Sequence, residues 1–244
     1  MEDGHKYITN KNLTTQDLAY YADNNDETWV IDINILIDAA KLANSEIKKE
    51  VNFNKDRPIS LLANIPKKNL SGAVGECLGR SYSLLLNGRL GKNPHESGSP
   101  DFIPIVEESS SWFSEPTKDI FRGGFDTKAC LTEKGEFTKV KPSSHHDQTT
   151  TILTVQWRHD DGIPEIIGAF FTNSLNSSDW NVSKKPVKEG SKITNSATLK
   201  ASGVHKIRSG WLFMRGDIKI PSKEIVNLYN LHELCDYQKN GKIN

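Results

Sequence analysis

The chain has little cysteine and no long hydrophobic run, and its charge leans to neither sign. Three cysteines occur in 244 residues. Cys77, Cys130 and Cys235 stand singly in apolar surroundings with no CxxC spacing, which argues against a zinc site and a disulfide framework and leaves packed thiols. No apolar stretch approaches the roughly 20 residues of a membrane span, and the N-terminal MEDGHKYITNKN lacks the apolar core of a signal peptide. A soluble, cytoplasmic protein with no membrane partner is therefore expected. Lysine plus arginine equals aspartate plus glutamate at 31 each. That balance speaks against a protein that coats nucleic acid nonspecifically, although opposite patches can cancel in the sum.

What is present suffices for a real core, since 36% of the residues are hydrophobic. Residues 1–69 read as a helical scaffold. Thr14–Asp23 fits a short helix capped by Thr14 or Thr15. Trp29, Ile33, Leu36, Ile37, Ala40 and Ile47 recur at helical spacing, which predicts an amphipathic helix over about Thr28–Lys49. A second apolar edge, Val30, Ile35 and Leu42, offers a dimer face as the alternative to plain scaffold. Asn52–Lys68, with Pro58 and Pro66, reads as a connection whose Lys55, Arg57, Lys67 and Lys68 are ordinary solvated cations unless a phosphate backbone lies nearby.

The chemistry concentrates between residues 70 and 131. Leu70–Asn87 reads as a helix with Ser71 as N-cap and Gly88 as its stop. Its apolar stripe is Val74, Cys77, Leu78, Tyr82 and Leu85, and Glu76 is its only acid. Gly72, Gly75 and Gly79 would permit a close approach beside Glu76. Further on, Pro100-Asp101 opens the apolar run Phe102, Ile103, Ile105, Val106, and proline suits a strand entrance because it donates no hydrogen bond. In FDTKACL, Phe125, Thr127, Ala129 and Leu131 alternate with Asp126, Lys128 and Cys130 on the two faces of a strand.

Charges at such positions are either a solvated strand face or a site. If the two segments pair, Asp101 and Asp126 converge on one hard cation. Mg²⁺ takes one or two carboxylates, keeps several waters and accepts a phosphate oxygen. Lys128 would then orient or help deprotonate a water and stabilise charge developing on phosphate.

Pro100-Asp101 followed by Asp126-Thr127-Lys128, after a helix carrying Glu76, resembles the PD-(D/E)XK nucleases, and in particular the type II restriction endonucleases. The resemblance covers roughly residues 70–131, with Asp where Glu is commoner in the second element. It implies catalytic Glu76, Asp101, Asp126 and Lys128, with Asp101 and Asp126 as the Mg²⁺ ligands. Glu107 and Glu108 compete for the place of Glu76. It also implies a homodimer on a palindromic site in double-stranded DNA and a cognate DNA methyltransferase. Its alternatives are a repair or structure-specific nuclease of the same superfamily, and a noncatalytic polar binding module.

The remainder fits around this. Glu108–Gly124, with Ser109–Ser111, Trp112, Phe113 and Pro116, is expected as an excursion near the site, and Phe137–Val140 as a third antiparallel strand. His145 and His146 read as a helix cap or polar turn, because adjacent histidines point apart. Thr150–Trp157 and Ile163–Thr172 are strands joined by an Asp161-Gly162 hairpin. Residues 173–209 read as a basic polar insertion in which Lys184, Lys185, Lys188, Lys192, Lys200, Lys206 and Arg208 meet DNA phosphates while Asn, Ser and Thr read base edges. Residues 210–244 close the domain with a strand at Gly210–Ile220 and a helical segment at Ser222–Tyr237.

The expected fold is thus one domain of α/β or α+β class: a central mixed sheet of roughly five strands flanked by helices. In it, a restriction-endonuclease-like core at 70–172 carries DNA-binding insertions.

Overall fold

Short strands rich in β-branched and aromatic residues alternate here with helices whose apolar stripes need a sheet to cover them. The structure is a computed structural model and describes residues 5–21, 28–54, 67–95, 99–106, 123–132, 143–144, 151–160, 162–184, 195–220 and 223–241. Strands β1 (Tyr7–Thr9), β2 (Ala19–Tyr21) and β3 (Thr28–Val30) precede helices α1 (Ile33–Asn54) and α2 (Lys67–Leu85). Next come β4 (Leu90–Lys92), β5 (Phe102–Pro104), β6 (Asp126–Thr132), β7 (Ser143–Ser144), β8 (Ile152–Asp160) and β9 (Ile163–Thr172). A 3₁₀ turn at Ser177–Asp179 leads to β10 (Trp180–Lys184), β11 (Asn195–Leu199), α3 (Ala201–Ser209), β12 (Trp211–Arg215), α4 (Lys223–Tyr229) and α5 (His232–Asn240).

Among the described residues the central sheet has five strands in the order β1-β12-β9-β8-β6. Its neighbours are antiparallel except β6 and β8, which run parallel. The protein is therefore mixed α/β, with a central mixed sheet flanked by helices. Apolar side chains cover both faces. On one, Leu36, Ala40 and Ile47 of α1 and Val74, Leu78 and Tyr82 of α2 pack on Leu153, Val155, Trp157 and Phe171. On the other, Ile152, Phe170 and Met214 meet Trp180, Ala197, Ile207, Tyr229 and Leu234. A sheet covered twice needs apolar residues at consecutive positions, as in Ile166-Ile167-Gly168-Ala169-Phe170-Phe171.

The β8–β9 hairpin pairs Asp160 with Ile163 and has Gly162 at φ +83°; Asp161, the other half of the expected turn, lies outside the described residues. Several expectations need correction. Thr14–Asp23 does not form a helix: Thr14 and Asp17 bond each other reciprocally in a turn, and the chain enters β2 at Ala19. Thr28–Val30 is a strand, and α1 starts only after Asp32, whose Oδ1 accepts from the backbone of Asn34 and Ile35. Ser71 is no N-cap, because α2 begins at Lys67; its Oγ instead accepts from the Trp157 indole at 3.2 Å. The polar stretch 173–209 carries the 3₁₀ turn, β10, β11 and α3. The expectations for residues 55–66, 107–122, 133–142, 145–150 and 185–194 lie outside the described residues, and with them Phe137–Val140, His145, His146, Lys185, Lys188 and Lys192.

Candidate active site

Two short elements bring Asp101 to Asp126. β4 and β5 form a separate hairpin in which Lys92 lies opposite Phe102, and Phe102 makes an isolated bridge to Phe125. The Phe102 and Phe125 rings stack, 5.8 Å between centroids. Asn93, itself buried, ties the turn before β5: its N–H donates to the Asp101 carbonyl at 2.8 Å and its Nδ2 to that of Pro100 at 3.0 Å. Gly124 closes the other side at φ +88°, where a Cβ would run into the Phe102 carbonyl, and its N–H donates to Tyr21 O at 2.7 Å.

Each carboxylate consequently accepts a backbone N–H from beside the other. The Asp101 N–H donates to Asp126 Oδ1 at 3.1 Å. Asp101 Oδ2 accepts from the Thr127 N–H at 2.7 Å and from Thr127 Oγ1 at 3.0 Å. Among the described residues Asp101 Oδ1 accepts no hydrogen bond, which leaves it available to a ligand. Asp126 is 3% exposed, and Lys128 Nζ stands 3.8 Å from its Oδ2.

Register decides which way these groups face. Asp126 pairs with Ile152 and Lys128 with Thr154 along the parallel ladder. Ile152 belongs to the second apolar cluster and Cys130 packs against it, whereas Ala129 and Leu131 pack with α1 and α2. Asp126 and Lys128 therefore open on the face away from α2, at the end of the sheet where β9 finishes at Thr172 opposite Ile152.

Burial, and then the neighbouring Asp126 charge, push the Asp101 carboxyl above its ordinary value; Lys128 and the Thr127 bonds oppose this without cancelling it. A site that resists holding two negative charges is one that a divalent cation would relieve. The donor set is two carboxylates and nothing softer, which suits Mg²⁺. Among the described residues no group of three His, Cys, Asp or Glu side chains is placed to hold a metal ion, so waters and a substrate oxygen would complete the shell.

Glu76 has cations of its own. Its Oε1 takes Arg80 Nε at 2.9 Å and the Lys92 ammonium. Burial works against its charge, but these two cations hold its carboxyl below the usual range. α2 lies over the opposite face of β6, with Gly75 against Ala129 and Gly79 against the Phe102 ring, so the close approaches allowed by these glycines are to protein.

Three cations of the 173–209 stretch have partners of their own. Lys206 Nζ donates to Asp179 Oδ2 and to the Ser174 carbonyl, both at 2.7 Å. Lys200 Nζ donates to the Ser178 carbonyl at 2.9 Å. The Arg208 guanidinium lies over the Tyr229 ring, 5.0 Å from its centroid. Lys184 ends β10. Thr127 and Asn93 are the positioning residues that sequence reasoning missed; the hydroxyl inside the Asp-Thr-Lys triplet was the available signal for the first.

Among the described residues no helix is long and apolar enough to cross a membrane. Comparison with protein-family models, curated proteins and solved structures gives no match for this chain.

Proposed function

We propose that this chain is a Mg²⁺-dependent endonuclease of the type II restriction class, built on a restriction-endonuclease-like core, that hydrolyses phosphodiester bonds of double-stranded DNA. The observation that carries the reading is the contact between Asp101 and Asp126, with Lys128 3.8 Å from Asp126 on the same strand face. Two oxygen ligands and one fixed ammonium are what phosphodiester hydrolysis asks of a protein.

Asp101 and Asp126 would hold the cation, which when bound supplies Lewis acidity to the phosphate and acidity to a coordinated water. Thr127 fixes the Asp101 carboxylate and Asn93 fixes the backbone that carries it. Lys128 orients the attacking water and stabilises the charge that grows on the phosphate. One phosphorus–oxygen bond forms to the water oxygen while one ester bond breaks; the water proton leaves to solvent and the departing oxygen takes a proton from it. Glu76 brings a further carboxylate, paired with Arg80 and Lys92. A homodimer on a palindromic site, with a cognate methyltransferase protecting host DNA, belongs to the same proposal.

The test is incubation of the purified protein with a long duplex of known sequence, in Mg²⁺ and in a chelator. Discrete Mg²⁺-dependent fragments are expected. A smear would indicate a repair-type or nonspecific nuclease, and uncut DNA across many sequences and methylation states would overturn the proposal in favour of a binding module.

A further inference from the structure

Among the described residues β10, β11 and β7 form a second, small antiparallel sheet, and its position relative to Asp126 and Lys128 is informative. The chain leaves the central sheet at Thr172, the end of β9 that shares a row with Ile152 and Asp126. It then places Trp180 and Ala197 in the second apolar cluster, on the sheet face that Asp126 and Lys128 share. The small sheet thus stands at the same end and on the same face as the two residues.

Its two sides differ in kind. Trp180 and Ala197 are buried, while Asn181 and Thr198, paired in register, are exposed. Ser143 continues that row across the third strand, opposite Thr198, and two residues along the ribbon Ser183 lies opposite Ser196. Asn181 and Thr198 are the two exposed residues described on this row, and no charged residue shares its register. An uncharged row of donors and acceptors matches the hydrogen-bonding edges that bases display in the major groove, which strands are able to read. Charge complementarity points the same way. Lys184 ends β10, and the connecting sequence 185–194 has Lys185, Lys188 and Lys192 against Glu189.

We infer that the β10–β11 ribbon enters the major groove of the duplex held at Asp101 and Asp126, with Asn181 and Thr198 reading base edges. This rests on the nuclease reading and assigns its sequence specificity. Asn181, with an amide that can donate and accept at once, suits adenine, and the Thr198 hydroxyl and methyl suit a neighbouring pair.

The experiment is selection of duplexes from a random library by the full chain with Ca²⁺ in place of Mg²⁺, for the wild type and for Asn181→Ala and Thr198→Val. Unchanged melting points confirm that the variants fold. The wild type should enrich one motif. Each variant should lose preference at one base position by about tenfold, with its affinity for unrelated DNA unchanged. An identical motif in all three proteins would overturn the ribbon assignment and leave the nuclease reading intact. So would a wild type that enriches nothing yet cuts DNA in Mg²⁺. A wild type that neither binds nor cuts would overturn both.

Discussion

Replacing Asp126 by asparagine separates a cation site from a structural ion pair. The new amide oxygen can still accept from the Asp101 N–H, so the fold keeps the bond now 3.1 Å long. One charge disappears, and with it two interactions. Unit charges about 4 Å apart interact by roughly 4 kcal/mol at an effective dielectric of 20. Here repulsion from Asp101 and attraction from Lys128, 3.8 Å away, are of that order and opposite sign. They nearly cancel, so in chelator the variant should melt within a few degrees of the wild type. The response to cation should differ sharply. At one hundred times its dissociation constant a ligand adds about 2.7 kcal/mol, or roughly 5–10 °C for a chain of this length. Wild type should gain that in Mg²⁺ or Mn²⁺ by thermal unfolding, and Asp126→Asn should gain nothing. Two results would refute the reasoning: a wild type indifferent to millimolar cation, or a variant that keeps the full shift.

Other consequences follow from the same contacts. Asp101 titrates above its ordinary value in the folded protein. Its contribution is thus fully present below the unfolded value and lost as pH rises through the folded one; metal-free wild type should lose stability across that window, and added Mg²⁺ should remove the loss. Lys128→Ala should abolish cleavage on gels while retaining most DNA affinity in a filter-binding assay. Glu76→Gln should slow cleavage by less than about tenfold and shift stability by under about 1 kcal/mol, because its partners are surface cations. Asp179 is held below its usual value because Lys206, Ser202 and the Asn176 N–H outweigh its burial. Lys206→Met should therefore cost about 3 kcal/mol in urea unfolding and leave site preference unchanged.

Much of the fold could be read from local signals. Asp161-Gly162 sits between two apolar runs, so turn chemistry and strand pattern agree. Val74, Leu78 and Tyr82 mark the buried stripe of α2 because α2 packs on a sheet along one side only. Where two signals coincided, the reading went astray. Trp29 falls at helical spacing from Ile33 and Leu36, but Tyr20 and Trp29 pair in a short hairpin and Asp32 caps the helix after it. Composition made 173–209 look like a loop. A few residues hold it instead, chiefly Trp180, Ala197 and Ile207, together with an ion pair between buried Asp179 and half-buried Lys206 that sequence spacing cannot announce. At the site, alternation placed Asp126 and Lys128 on one face. Their closeness to Asp101 was a conditional expectation, since it depends on Asn93 and Gly124 holding two strands that meet in one bridge. For Glu76, helical position announced neither Arg80 nor Lys92 as partners.

The most direct measurement compares wild type with Lys128→Ala on one long duplex in Mg²⁺, with chelator controls. The account predicts discrete fragments from the wild type alone and none in chelator. Equal cutting by both proteins, or cutting that persists in chelator, would contradict it.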